Sequence, residues 1–169
     1  MAADEKWPDA YKPYLLRPKN PHVKFPGGQH AVKTLQHTED GVTDIILFDN
    51  NLVITRGNRA VSETYSRMVQ YRINEKERSV EEVWSYGEQR GRAFYSDIVG
   101  NVQQLQHTGN RLITTGHVQS EGASDQRESL VVEVSSGNSP ETQFELKLSG
   151  FEKNAGELTY RAWRLPLYF

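Results

Sequence analysis

The chain of 169 residues contains no cysteine. Disulfides, thiolate metal sites and cysteine nucleophiles are therefore excluded. Long apolar runs are absent too. The N-terminal "MAADEKWPDAY" has no apolar core, so the chain carries no visible signal peptide and no membrane span is expected. Charge of one sign is not in excess: 20 Lys and Arg stand against 22 Asp and Glu, a net charge of -2. The clusters "RGNR" and "EQRGR" are balanced by nearby acids. A protein that tracks phosphates normally shows a basic surplus, so a nucleic-acid partner is not expected. Nor does any stretch show a convincing helical period; "AFYSDIV" has room for one turn.

Proline is concentrated where secondary structure is not. Five of the seven prolines, Pro8, Pro13, Pro18, Pro21 and Pro26, precede Gly28. Proline cannot donate to a ladder, so residues 1–28 read as an extended, irregular lead-in closed by Gly27-Gly28. Beyond it the pattern is β almost throughout. Strands are expected at Ala31–Gln36, Asp44–Asp49, Met68–Ile73, Val80–Tyr86, Val102–Gln106, Arg111–Thr115, Leu130–Val134, Gln143–Leu148 and Leu158–Leu165. These runs are rich in Val, Ile, Tyr and Thr and are separated by Gly, Asn, Asp and Ser. "MVQYRI" and "QFELKL" alternate like half-buried antiparallel strands.

The tetrapeptide "LQHT" occurs twice, at Leu35 and at Leu105, with Val32 over Val102. Each copy continues into a hairpin pattern, with Tyr71 over Val132. The chain thus reads as an all-β protein of two antiparallel four-stranded units in tandem, the pattern of β-propeller blades. Residues 29–100 form the first blade; residues 101–169 form the second plus a closing C-terminal strand. Closed propellers use about four to eight blades. Two alone leave apolar faces and strand edges uncovered, so upstream blades or self-association are expected to cover them.

The histidines divide by context. His37 and His107 hold the same place in the two "LQHT" copies, which favours a turn role. His22 sits in the lead-in and is expected to be solvated. His117 follows "TTG" as a lone histidine with room to face a channel. His30 follows the double glycine in "GGQHAVKTL", either as a loop residue bonded to a carbonyl or as a nucleophile, since imidazole titrates near neutral pH. No closely spaced His or carboxylate set points to a metal, and no cofactor is expected. Asp49-Asn50 reads as turn chemistry at a strand end. Arg56 and Arg59 offer forks for an oxyanion or pair with acids such as Glu63. Thr114 and Thr115 are donors or plain strand residues. Trp84, Trp163, Tyr71 and Tyr86 read as packing between blades.

Taken together, "GQHAVKTL" leading to "ILFDNN", the "RGNRAVSETYSRMVQYRINEKERSVEEVWSYGEQRG" stretch, "FYSDIVGNVQQLQHTGNRLITTG" and "TYRAWRLPLY" resemble the bacterial arylsulfate sulfotransferases. Asn51 stands where that family often has glycine. The resemblance implies a six-bladed propeller of which this chain is the C-terminal part. It implies a periplasmic or secreted enzyme that moves a sulfuryl group from a phenolic sulfate ester to a phenolic acceptor without a nucleotide donor. By position in the motif, His30 resembles the histidine that becomes transiently sulfated, and ping-pong kinetics would follow. Arg56 and Thr115 are the expected substrate contacts. The family's further histidines and an arginine lie on earlier blades, so the isolated chain is expected to turn over little. The alternative is a non-catalytic propeller fragment that serves as a binding or assembly module.

Overall fold

Alternation of β-branched and aromatic residues with polar ones sets down two sheets. The computed structural model describes residues 7–35, 39–52, 64–122, 125–152 and 158–166. The first sheet comprises β1 (Arg17–Pro18), β2 (Gln29–Leu35), β3 (Val42–Asp49), β4 (Arg67–Asn74) and β5 (Ser79–Tyr86), in the order β1-β5-β4-β3-β2. Strands β2 to β5 form an antiparallel meander. The two-residue β1, which the sequence pattern does not announce, pairs in parallel with the outer strand β5. The second sheet is another antiparallel meander: β6 (Asn101–Gln104), β7 (Arg111–Gln119), β8 (Arg127–Val134) and β9 (Thr142–Leu148). The fold is all-β, with one sheet of five strands and one of four. The described residues close no ring.

The sheets pack face to face. Ile46, Phe48, Met68, Trp84 and Tyr86 of the first sheet share one core with Val102, Ile113, Leu130, Val132 and Val134 of the second. Phe94, at the end of the 3-10 turn Glu88–Phe94, closes this core with its ring edge-on to Tyr86 at 5.8 Å. A polar chain crosses the same interface. Arg111 of β7 lies 4.1 Å over the Trp84 ring and donates to Gln70 Oε1 at 2.8 Å, and Gln70 in turn donates to Asp44 at 2.8 Å. Burial pulls the Arg111 guanidinium below its ordinary pKa. Trp84 and Tyr86 thus do the packing between units that their hairpin positions suggested.

The alternation in "MVQYRI" is not that of a half-buried strand. Leu47, Val69, Tyr71 and Val80 turn to the other face of the first sheet, where Leu16, Val23 and Phe25 of the lead-in cover them. The lead-in joins the ladder only at Arg17–Pro18; its apolar residues otherwise lie against this face. The second sheet is covered differently. Residues 158–166 form no strand, contrary to the pattern at Leu158–Leu165. The backbone of this segment is instead satisfied largely by side chains on a sheet face. Ala162 N–H donates to Thr114 Oγ1 at 3.1 Å, Arg164 N–H to Gln103 Oε1 at 2.9 Å, and Asn101 Nδ2 to the Ala162 carbonyl at 2.9 Å. Side-chain amides thus replace the partner strand that the apolar alternation presupposed. The outermost strand β9 leaves Phe144 and Leu146 exposed.

Truncation of Ile113 to alanine is expected to lower stability by about 2–5 kcal/mol, as for a fully buried aliphatic side chain. Leu146→Ala should change it by no more than about 0.5 kcal/mol. Equal losses in urea unfolding would contradict the shared core.

Candidate functional site

The double glycine and the Phe48-Asp49-Asn50 motif are one structural unit. Gly28 has a positive φ of 86°, and a side chain on Gly27 would run into the Leu52 backbone. Gly27 N–H donates to Asp49 Oδ1 at 2.8 Å, Asn50 N–H to the Gly28 carbonyl at 3.0 Å, and Leu52 N–H to the Gly27 carbonyl at 2.6 Å. Asp49 Oδ1 also accepts the Asn51 N–H at 2.9 Å, the Asx geometry that allows Asn51 its positive φ of 58°. The end of β3 therefore grips the chain just before β2.

Asp49 is 1% exposed and is itself held by Arg67 at 3.0 Å. Arg67 donates further to both oxygens of Glu82 at 3.0 Å, to the Lys24 carbonyl at 2.8 Å and to the Tyr71 hydroxyl at 3.1 Å. Burial alone would depress the pKa of this guanidinium. Tyr71, Asp49 and Glu82 outweigh it and raise the pKa above its ordinary value. Lys24 completes the tether through Glu88 at 2.8 Å, and that contact holds the Glu88 carboxyl below its usual range despite some burial.

His30 follows directly on this clamp. It lies in β2, opposite Phe48, half-buried, and makes no side-chain hydrogen bond among the described residues. The register breaks between His30 and Lys33, and Ala31 has a positive φ of 52°. Such a bulge at an outer strand of a sheet re-aims the side chains beside it. β2 is the last strand of its sheet, and β6 of the second sheet lies beside it.

The same end of the molecule carries the junction between the units. Asn50 Nδ2 donates to the carbonyls of Ser96 and Val99 at 2.7 and 3.0 Å. Ser96 N–H donates to Ser66 Oγ at 2.9 Å. Gly100 packs so closely on the Phe48 ring that a Cβ would overlap it. Ser96 Oγ receives the His117 N–H at 3.0 Å, and His117 Nδ1 lies 2.6 Å from Asp97 Oδ1.

Of the residues singled out from sequence, His30, Asp49, Asn50, Thr115 and His117 stand at this end. Thr115 lies at the β7 bulge, fully buried, and its hydroxyl has no partner among the described residues. Thr114 has a structural role, accepting from the C-terminal segment. Arg56, Arg59, Glu63 and His37 lie outside the described residues. His107 is exposed in the turn between β6 and β7, and His22 is exposed beside Asn20. Tyr71 lies under the lead-in rather than between the units. Trp163 is half-exposed, with Lys33 Nζ 3.8 Å above its ring. Sequence reasoning missed Arg67 and the pairing of Asp97 with His117. Only the position of each in its Tyr-Ser string hints at either. Among the described residues no group of three or more His, Asp or Glu side chains gathers to hold a metal, and no helix is long and apolar enough to cross a membrane. An open groove of about 500 Å³ beside Arg90, Tyr95, Glu128 and Lys147 does not include His30; in it Arg90 pairs with Glu145 and Lys147 with Glu128.

Arg67→Met leaves Asp49 and Glu82 buried without their cation, and about 3–5 kcal/mol of stability should be lost. A loss under about 1 kcal/mol in urea unfolding would show that the clamp is not structural. The Glu88 contribution is complete above its ordinary pKa of 4.5 and is lost as pH falls through the depressed value. The melting-temperature advantage of the wild type over Glu88→Gln should therefore vanish in acid; an advantage independent of pH would refute the linkage.

A profile of the family described as arylsulfotransferase (ASST) matches residues 1–161. The chain is 49% identical over 39 residues, 23% of its length, to a protein of Escherichia coli named arylsulfate sulfotransferase AssT. It is 45% identical over 42 residues, 25% of its length, to the protein of that name from Lelliottia amnigena. These stretches span 6% and 7% of the two relatives' own lengths.

Proposed function

Because the chain belongs to the arylsulfotransferase family, we propose that it forms the C-terminal part of an aryl-sulfate sulfotransferase propeller in which His30 is the sulfated nucleophile. The observation that carries the reading is the clamp. Buried Asp49 and Arg67 fix the backbone immediately before His30, and a bulge follows it at the outer strand of the sheet. A nucleophile needs that kind of rigid support.

In the first half-reaction an imidazole nitrogen of His30 attacks the sulfur of an aryl sulfate. The N–S bond forms, and the S–O bond breaks to release the phenolate. In the second, a phenolic oxygen attacks the same sulfur, and the electron pair of the N–S bond returns to the ring. The transition state is loose, with charge on the peripheral oxygens, and fixed donors must meet that charge. Arg56 is proposed for this role. Thr115, with its buried hydroxyl, would contribute only from within the bulge.

Further blades are proposed to complete the site and to cover Phe144 and Leu146 of β9. The two units supply one nucleophile, and loss of a single oxyanion donor commonly costs about a hundredfold. A periplasmic location fits the bacterial relatives.

Incubation with an aryl sulfate followed by intact-mass measurement tests the proposal. In the protein carrying the upstream region, a single sulfuryl adduct should appear and be absent from His30→Ala. The isolated chain should show little turnover. No adduct in the completed propeller would favour a binding or assembly module instead.

A further inference from the structure

His117 and Asp97 are not used by the reading above, yet they meet at the junction that carries it. His117 Nδ1 lies 2.6 Å from Asp97 Oδ1, and the His117 backbone N–H is fixed by Ser96 Oγ at 3.0 Å. The His117 side chain is 16% exposed and that of Asp97 46%, so the pair sits at a rim open to solvent. A chain of contacts links this place to His30. His30 pairs with Phe48; Gly100 packs on the Phe48 ring; Asn50, two residues beyond Phe48, holds the carbonyls of Ser96 and Val99. Ser96 bridges to Val118 next to His117. The β7 register shift between Thr115 and Val118 turns this stretch out of the ladder. Other charges facing this stretch are Glu128 and Arg127 of β8, opposite Val118 and Gln119.

A carboxylate at Nδ1 holds that nitrogen protonated and leaves Nε2 as the acceptor. We infer that His117, oriented by Asp97, is a proton-transfer residue for the phenolic oxygen. This rests on His30 being sulfated. As the acceptor oxygen bonds to sulfur and the N–S bond to His30 breaks, the phenolic proton passes to His117 Nε2. In the first half-reaction the same proton goes to the departing phenolate as the S–O bond breaks. The imidazolium formed between these steps lies against Asp97.

The test compares phenyl sulfate with 4-nitrophenyl sulfate, whose phenolate leaves without a proton. The protein carrying the upstream region is used, and adduct formation on His30 and phenol release are both followed. His117→Gln should slow turnover of phenyl sulfate by about 10²–10⁴-fold, the usual worth of general acid catalysis. It should leave the rate of His30 sulfation from 4-nitrophenyl sulfate within about threefold, on the same principle. Asp97→Asn should show the same selectivity in weaker form, and it carries the test if His117→Gln does not fold. Equal losses on both donors, or none on either, would overturn the inference while leaving His30 as nucleophile. No adduct on wild-type His30 from either donor would overturn the functional reading, and this inference with it.

Discussion

A buried acid–guanidinium cluster holds one end of this molecule together. Asp49 and Arg67 are buried and Glu82 is partly so, and removing such groups from solvent is costly. The cluster is tolerated because almost every polar atom in it finds a partner. Arg67 donates to two carboxylates, a carbonyl and a phenol, while the free lone pairs of Asp49 take two backbone N–H groups. One of those is Gly27, so the energy that holds β3 to β4 also fixes where β2 begins. A buried ion pair of this sort adds little net stability relative to a hydrophobic substitute; what it gives is a defined geometry.

That geometry is passed to the second unit through neutral groups. Asn50, Ser66 and Ser96 form a buried hydrogen-bonded set in which each residue belongs to a different segment. Below it the two sheets meet across an apolar core. The order of the layers matters. Apolar packing supplies adhesion in the middle, and directional bonds at one end specify how one unit sits on the next. His30, Ser96, Asp97, Thr115 and His117 all lie at the bonded end. There chain direction reverses and side chains are free of the ladder.

Much of this could be read from the sequence. The tandem "LQHT" copies and the spacing of turn residues locate eight strands in two meanders, because period-two patterning and Gly or Asn punctuation are local signals. Burial on the second face of the first sheet was not legible. The cover comes from Leu16, Val23 and Phe25, far away in the chain. Leu158–Leu165 misled for the opposite reason. Its apolar alternation suits a strand, but its backbone is satisfied by Asn101, Gln103 and Thr114. At the site, His30 stood out by motif alone. The clamp behind it did not, since Arg67 and Asp49 meet only after β3 and β4 pair in register. The partnership of His117 with Asp97 is likewise a product of the bulge and of the Ser96 bridge.

Amide hydrogen exchange at Gly27 measures the central claim directly. If Asp49 holds that N–H within a buried cluster, Gly27 should exchange nearly as slowly as the strand amides of β3, despite lying at the end of a proline-rich irregular segment. Exchange as fast as that of the exposed amides near Tyr11 would contradict the account. It would mean that the backbone before His30 is held by nothing stronger than its own turn.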